Sequence, residues 1–138
     1  MSVVNSFIGR YFSFGGRLAR LPFFVRCIYV NIAAMLLLAV GLALLSHGGS
    51  ASWFTGAVFA TASFVLLIAG LASATVRRLH DLGLAGYHVI WVGAAEAAWT
   101  FLSEGPLQVV VLSFPLAVIG LWLTFWPGNR GANRFGEA

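Results

Sequence analysis

Two long apolar runs constrain the fold more than any other feature of this sequence. Residues 22–45 are apolar except for Arg26 and Asn31, and residues 53–76 contain no charged side chain. An α-helix rises about 1.5 Å per residue, so each run is long enough to cross the roughly 30 Å hydrocarbon layer of a bilayer. We therefore predict a transmembrane helix over each run, with the Arg26 side chain extending back towards the lipid headgroups.

The composition also indicates an integral membrane protein. Only 9% of the 138 residues are charged and 60% are hydrophobic, whereas soluble domains contain about 25% charged residues. All eight basic residues are arginines, and the net charge is +4. Because these arginines flank the apolar runs along the whole chain, we expect them to contact anionic lipid headgroups and not nucleic acid.

Two further apolar runs complete the expected fold, an all-α integral membrane protein whose single domain, residues 1–138, is a bundle of four transmembrane helices. The last predicted span is 107–126. Residues 87–102 are short for a span, but the helix reaches a sufficient length if it begins near residue 84. We therefore predict a third span over 84–102, with a re-entrant segment as the alternative.

Small residues recur at four-residue spacing in the second run. Gly56 is followed by Ala60, and Gly70 by Ala74. Such spacing allows two helices to approach closely in a membrane. The alternative explanation is that alanine is simply common in this chain.

The polar ends of the chain and its arginines set the expected orientation. Residues 2–14 carry one apolar stripe at helical spacing, which predicts an interfacial amphipathic helix, and residues 127–138 form a polar tail. Arginines precede or open the first span, separate the second and third spans, and follow the fourth. By the positive-inside rule, both termini and the central loop are cytoplasmic. A cleaved signal peptide is not expected, because the charged region before the first apolar run is too long.

Three polar segments are brought to the same predicted cytoplasmic face by this topology. They are residues 14–20, residues 77–86, which lie in the densest run of charge in the chain, and residues 131–136. The candidate binding or structural residues of this face are Arg17, Arg20, Arg77, Arg78, His80, Asp81, Asn133 and Arg134.

Asp81 is the acidic residue around which this face is expected to be organised. If the second helix continues past Arg77, Asp81 lies at the negative end of the helix dipole, where a carboxylate needs a compensating cation. Arg77 lies four residues earlier on the same helical face, and Arg17 or Arg20 could reach Asp81 from the first segment. We predict an arginine–aspartate network that joins the three segments, with Asn133 contributing. The alternative is that the same arginines bind a phosphate-bearing headgroup or ligand.

The three polar segments resemble the motifs of the YhaH-like family of small bacterial inner-membrane proteins, catalogued as domain of unknown function 805. The first motif, F-x-G-R-x-x-R-x-x-aromatic-aromatic, is matched by Phe14, Gly16, Arg17, Arg20, Phe23 and Phe24. The central motif, R-R-L-H-D-x-G-x-S-G-aromatic, is matched by Arg77, Arg78, Leu79, His80, Asp81, Gly83, Gly86 and Tyr87. The closing motif, G-x-x-G-x-N-basic-aromatic-G, is matched by Gly128, Gly131, Asn133, Arg134, Phe135 and Gly136.

Two positions depart from the motifs of that family. Ala85 replaces the usual serine and Ala132 replaces the usual proline. A role that depends on the serine hydroxyl is therefore not expected in this chain. The resemblance implies a multi-pass protein of the bacterial inner membrane, and it implies no established activity.

Glu96 is the one carboxylate expected at membrane depth. An intramembrane carboxylate is costly, and by default it suggests a proton or ion pathway. Asn31, at a comparable depth in the first span, is its expected hydrogen-bond partner. The alternatives are a purely structural hydrogen bond across the bundle and a shallow, hydrated position.

The expected function is non-enzymatic. His80 and Asp81 suggest a metal site or a membrane-embedded hydrolase, but His47, His88, Glu96, Glu104 and Glu137 supply no set of three at ligand spacing. We expect no catalytic residue, metal or cofactor. The arginine face is expected to bind anionic lipid, or to dock the protein on a larger membrane complex or in a homo-oligomer. The alternative is an oligomeric transporter or channel component that uses Glu96.

Overall fold

The structure is a computed structural model that describes Gly9, residues 12–102 and residues 117–136, without the side chains of residues 96 and 99–102. Its regular structure is helical apart from one isolated β-bridge between Asn133 and Gly136, and turns and irregular segments connect the helices. The helices are α1 (Arg20–Ser46), α2 (Ser50–Asp81), α3 (His88–Leu102) and a helical segment over residues 117–125, here α4. The all-α expectation is confirmed for this part of the chain.

The predicted interfacial helix over residues 2–14 lies mostly outside the described residues. Gly9 and Phe12 are helical. The predicted spans 22–45 and 53–76 fall inside α1 and α2.

α1 and α2 are both long enough and apolar enough to cross a membrane. Their most apolar stretches have mean hydropathies of 2.5 and 2.1, and only 17% and 22% of those stretches are buried. A core helix of a soluble protein would bury most of such a surface, because exposed apolar area is unfavourable in water. Two helices of this kind indicate a membrane protein.

The turn between α1 and α2 is short because glycine permits it. α1 ends at Ser46, and Gly48 and Gly49 follow with φ angles of 67° and 109°, which side chains disfavour. The Ser52 hydroxyl donates to the carbonyls of Gly48 and Gly49 at 2.9 and 3.0 Å. These bonds satisfy carbonyl groups at the turn and hold the start of α2.

The chain forms two compact units. Unit 1 comprises Met1–Ser13 and Val25–Ala74, and therefore the greater part of α1 and α2. Within unit 1 these helices approach through glycine: a Cβ atom built on Gly41 would lie 2.9 Å from the Gly56 carbonyl oxygen, and one built on Gly56 would lie 2.7 Å from that of Gly41. The Ser63 hydroxyl also donates to the Ala34 carbonyl at 2.7 Å.

Unit 2 comprises Phe14–Phe24 and Thr75–Ala138. It contains the first residues of α1, the last turns of α2, α3, α4 and the tail. Among the described residues of this unit, the buried apolar side chains are Phe23, Val76, Leu79 and Leu123. All three polar segments identified in the sequence belong to this unit.

α3 begins four residues later than the predicted start at residue 84. The cause is the turn that ends α2: Gly83 has a φ of 76°, its N–H donates to the His80 carbonyl at 3.1 Å, and Leu84 N–H donates to the Leu79 carbonyl at 2.8 Å. This pair of bonds is a Schellman motif, which stops a helix. His88 then opens α3, which is described as far as Leu102.

Candidate functional site

The last turn of α2 places Arg78 and Asp81 on the inside of unit 2. The helix extends beyond the apolar run to Asp81, and the Schellman turn at Gly83 fixes its end. Arg78 and Asp81 are three residues apart and therefore lie on one helical face. Both are buried, with 0% and 3% of their surface exposed.

Asp81 pairs with two arginines from two segments of the chain. Arg17 approaches from the segment before α1, and its Nη2 and Nε atoms lie 2.9 and 3.1 Å from Asp81 Oδ1. Arg78 Nη1 donates to the other carboxylate oxygen, Oδ2. The Arg17 side chain is also buried, at 1% exposed. We call Arg17, Arg78 and Asp81 the Asp81 cluster.

Two buried guanidinium groups share one carboxylate, so backbone carbonyls must stabilise the remaining positive charge. Arg17 donates to the carbonyls of Asn129 (2.6 Å), Gly131 and Gly136 (3.2 Å) in the tail. These bonds bring the tail to Asp81. A buried ion keeps its charge only when its hydrogen-bonding groups are satisfied in this way.

Arg78 is satisfied by the end of α4. Its Nε atom donates to the Leu123 carbonyl at 2.7 Å, and its Nη2 atom donates to the Trp126 carbonyl. Carbonyls at the C-terminal end of a helix carry partial negative charge and have no partner within the helix. Arg78 therefore caps α4 while it pairs with Asp81.

Gly128 is required where the tail passes the Asp81 carboxylate. A Cβ atom built there would lie 2.0 Å from Asp81 Oδ2, far inside van der Waals contact. The next residue, Asn129, donates its backbone N–H to the Asp81 carbonyl at 2.9 Å. The first glycine of the closing motif, Gly128, thus has a steric explanation.

His80 and Asn133 hold the tail by uncharged contacts. The His80 ring stacks on Phe135 with centroids 3.9 Å apart, and His80 Nδ1 lies 3.1 Å from the Gly16 carbonyl oxygen. Asn133 donates to the His80 carbonyl at 2.9 Å and accepts the Phe135 N–H at 2.9 Å. These contacts give His80 a structural position among the three segments.

The other predicted arginines of this face have different surroundings. Arg77, which we expected to pair with Asp81, donates to the Arg17 carbonyl at 3.3 Å, and the Asp81 partner on α2 is Arg78. Arg20 is exposed. Arg134 is exposed as well, lies over the Phe135 ring at 4.7 Å and donates to the Gly83 carbonyl at 3.3 Å.

The two predicted intramembrane polar residues do not form a described pair. Asn31 is exposed and donates to the Cys27 carbonyl one turn earlier at 2.8 Å. The side chain of Glu96 lies outside the described part of the chain. Among the described residues, no three His, Cys, Asp or Glu side chains are grouped as a metal site would require.

Arg26 and Ser73 form a polar contact in unit 1 that the sequence did not predict. Arg26 is 6% exposed, and its Nη2 atom donates to the Ser73 hydroxyl at 3.3 Å. Ser73 in turn donates to the Ser13 carbonyl at 2.7 Å. Arg26 therefore points into the protein, in place of the predicted extension to the headgroups. The sequence signal was weak, because Ser73 is one of five serine and threonine residues in the run 53–76.

The fold and the cluster together define a class: a helical protein with two helices suited to a membrane and a buried arginine–aspartate cluster at its polar segments. The family model described as "Protein of unknown function (DUF805)" matches residues 11–137. The chain belongs to this family, and the resemblance read from its three motifs is confirmed. No curated protein and no solved structure gave a significant match.

Proposed function

We propose that this protein is a non-enzymatic, multi-pass protein of the bacterial inner membrane whose cytoplasmic arginine face binds anionic lipid headgroups. In this proposal four helices cross the bilayer and both termini are cytoplasmic. The Asp81 cluster holds the face together, and other arginines contact the lipid.

The observation that carries the proposal is the division of the arginines into two sets. Segments 14–24, 75–87 and 117–136 contain six arginines and a single carboxylate, Asp81. Asp81 is already occupied by Arg17 and Arg78. The face therefore keeps an excess of positive charge that no acidic side chain in these segments balances.

The second set consists of three exposed arginines, Arg20, Arg130 and Arg134, and the half-buried Arg77 belongs to neither set. None of the three exposed arginines forms an ion pair with another residue that the structure describes. An arginine near a membrane surface that carries anionic lipid contributes about 1 kcal/mol of binding free energy. Three such side chains on one unit support preferential contact with anionic headgroups.

The buried set supports a structural role for the Asp81 cluster. Arg17 and Arg78 are almost inaccessible, and their N–H groups donate to Asp81 and to backbone carbonyls. A ligand phosphate at these guanidinium groups would have to displace those acceptors. We therefore assign lipid contact to the exposed set.

The proposal is tested by measuring which lipids remain on the purified full-length protein. The protein is released from lipid particles of phosphatidylglycerol and phosphatidylethanolamine, and bound lipid is identified by native mass spectrometry. We expect phosphatidylglycerol to be enriched on the wild type. The triple variant Arg20→Gln, Arg130→Gln, Arg134→Gln should lose about 3 kcal/mol of binding, or roughly 100-fold in affinity.

The matched control is the triple lysine variant at the same three positions. Lysine keeps each positive charge and loses the planar guanidinium fork. This variant should retain most of the enrichment, because the proposed attraction depends on charge. Wild-type enrichment in the triple glutamine variant would refute lipid binding by this face.

A further inference from the structure

An open groove lies within unit 2, between the start of α1 and the end of α4. Its volume is about 540 Å³. Apolar side chains line most of it, and two of them, Leu21 and Phe125, are 71% and 70% exposed. Phe24 is a third apolar side chain of the lining and is 47% exposed. Covering such a surface with an apolar ligand lowers the free energy of the system.

Arg20 supplies a charged group to the same groove. The segments that line it, residues 14–24 and 117–136, contain no carboxylate. Thr124 also lines the groove, but its hydroxyl donates to the Gly120 carbonyl at 2.7 Å. The hydroxyl hydrogen is therefore already used, and Arg20 is the side chain that can donate to an anion.

Burial lowers the pKa of the Arg78 guanidinium, the charge of Asp81 raises it, and the charge of Arg20 lowers it further. Asp81 partly offsets the positive charge of Arg78, but it is shared with Arg17. An anion held at Arg20 would reduce this repulsion from outside the Asp81 cluster. The groove therefore combines an apolar wall with a site that favours negative charge.

We propose that this groove binds one anionic glycerophospholipid, with its phosphate at Arg20 and an acyl chain against Leu21, Phe24 and Phe125. The inference rests on the proposed lipid-binding function and gives it one defined site. A phospholipid fits this arrangement because its anionic phosphate and its apolar acyl chains are parts of one molecule, as Arg20 and the apolar lining are parts of one groove. The apolar run of α1 begins at residue 22, so the groove is located where the predicted headgroup layer meets the hydrocarbon.

The test compares two variants with equal loss of charge. Arg20→Gln removes the cation of the groove, whereas Arg130→Gln removes an exposed arginine that does not line it. Native mass spectrometry of the full-length protein with phosphatidylglycerol should show one tightly retained lipid on the wild type. We expect Arg20→Gln to reduce its retention about tenfold, as the loss of one charge-assisted bidentate contact implies, and Arg130→Gln to leave it unchanged.

A third variant tests the apolar part of the site. Ala19→Trp fills the groove and leaves every arginine in place. It should lower retention of phosphatidylglycerol while the general enrichment of anionic lipid persists. Inorganic phosphate at millimolar concentration should not displace the lipid from the wild type, because it lacks the chain that the groove binds. Displacement by phosphate would overturn the proposal.

The failures of the two proposals are distinguishable. Equal reductions by Arg20→Gln and Arg130→Gln would overturn the defined site and leave the general lipid-binding face intact. Unchanged enrichment in the triple glutamine variant would overturn both. Arg20 is exposed and repels Arg78, so Arg20→Gln should fold at least as stably as the wild type, which thermal unfolding of the same sample verifies.

Discussion

The interactions that stabilise the interior of unit 1 differ in kind from those that stabilise the interior of unit 2. In unit 1 the described contacts between α1 and α2 include close approaches at Gly41, Gly56 and Gly70. The Ser63 hydroxyl and the buried Arg26 guanidinium each donate one hydrogen bond between these helices. In unit 2 the long-range hydrogen bonds come mainly from two buried arginines, and both ion pairs among the described residues are there. Unit 1 therefore relies mainly on close packing of helices, and unit 2 relies mainly on ion pairs and hydrogen bonds of buried arginines.

The difference has a physical reason. Between two helices in lipid there is little hydrophobic driving force, so close backbone packing by small residues provides the attraction. The polar segments of unit 2 have few apolar side chains to bury, and directional hydrogen bonds to charged groups replace them. Unit 1 should therefore be sensitive to added volume, and unit 2 to lost charge.

Asp81→Asn should give the largest loss of stability. It tests whether the ion pairs of the Asp81 cluster stabilise unit 2. The change leaves Arg17 and Arg78 buried without a carboxylate, and breaking a buried ion pair by removal of one partner costs about 3–5 kcal/mol. We expect Tm in detergent, followed by tryptophan fluorescence, to fall by roughly 10 °C or more.

The control for this prediction is Glu104→Gln, the same acid-to-amide change in the predicted loop after the third span. It should shift Tm by about 1 °C or less, as surface substitutions usually do. If Asp81→Asn shifted Tm no more than the control, the charged cluster would not be what holds unit 2 together.

The long helices were predictable because the physics of apolar runs leaves few solutions. A run such as residues 22–45 must satisfy its backbone internally in lipid, and a helix does so within one segment. The late start of α3 was not predicted, because apolar Leu82 and Leu84 continue the pattern towards Tyr87. Gly83, two residues after Asp81, was the available signal, since glycine is typical of the position just beyond the end of a helix.

The cluster was predictable only in outline. The sequence suggested Asp81 as its centre and Arg17 as one candidate partner. The choice of Arg77 over Arg78 followed the preferred four-residue spacing of exposed pairs, but the inward face of α2 is the one that carries Arg78. The acceptors at Leu123 and Trp126 are backbone carbonyls. Every residue has a carbonyl, so no side-chain pattern identifies them.

Gly56→Ala tests whether close packing of α1 against α2 stabilises unit 1, and it should cause an intermediate loss of stability. The added Cβ would lie 2.7 Å from the Gly41 carbonyl oxygen and 2.9 Å from the Leu45 backbone nitrogen. Backbone atoms cannot move aside as a flexible side chain can, so the helices must separate. We expect a loss of about 1–3 kcal/mol, typical of overpacking, measured as a lower Tm in detergent.

Gly93→Ala is the matched control, because it makes the same change inside a helix where no described neighbouring atom lies within 4 Å of the new Cβ. It should leave Tm unchanged or raise it, since alanine is favoured over glycine in helices by about 1 kcal/mol. Equal destabilisation by both variants would show that close packing in unit 1 does not explain the result, because alanine is the better helix former at both positions.

Asn133→Ala should give the smallest effect and refines the comparison within unit 2. It removes the two uncharged bonds to the His80 carbonyl and the Phe135 N–H and leaves the Asp81 cluster intact. Each such bond contributes about 1 kcal/mol net, so Tm should fall by only a few degrees and hydrogen exchange should quicken at residues 129–136.

Asn129→Ala is the control for this last variant, because the described hydrogen bonds of Asn129 use its backbone, which alanine retains. In this variant the backbone amides of residues 129–136 should exchange hydrogen at nearly the wild-type rate. A loss of stability in Asn133→Ala as large as that in Asp81→Asn would mean that neutral contacts of the tail matter as much as the ion pairs. The division between a unit held by shape and one held by charge would then not describe unit 2.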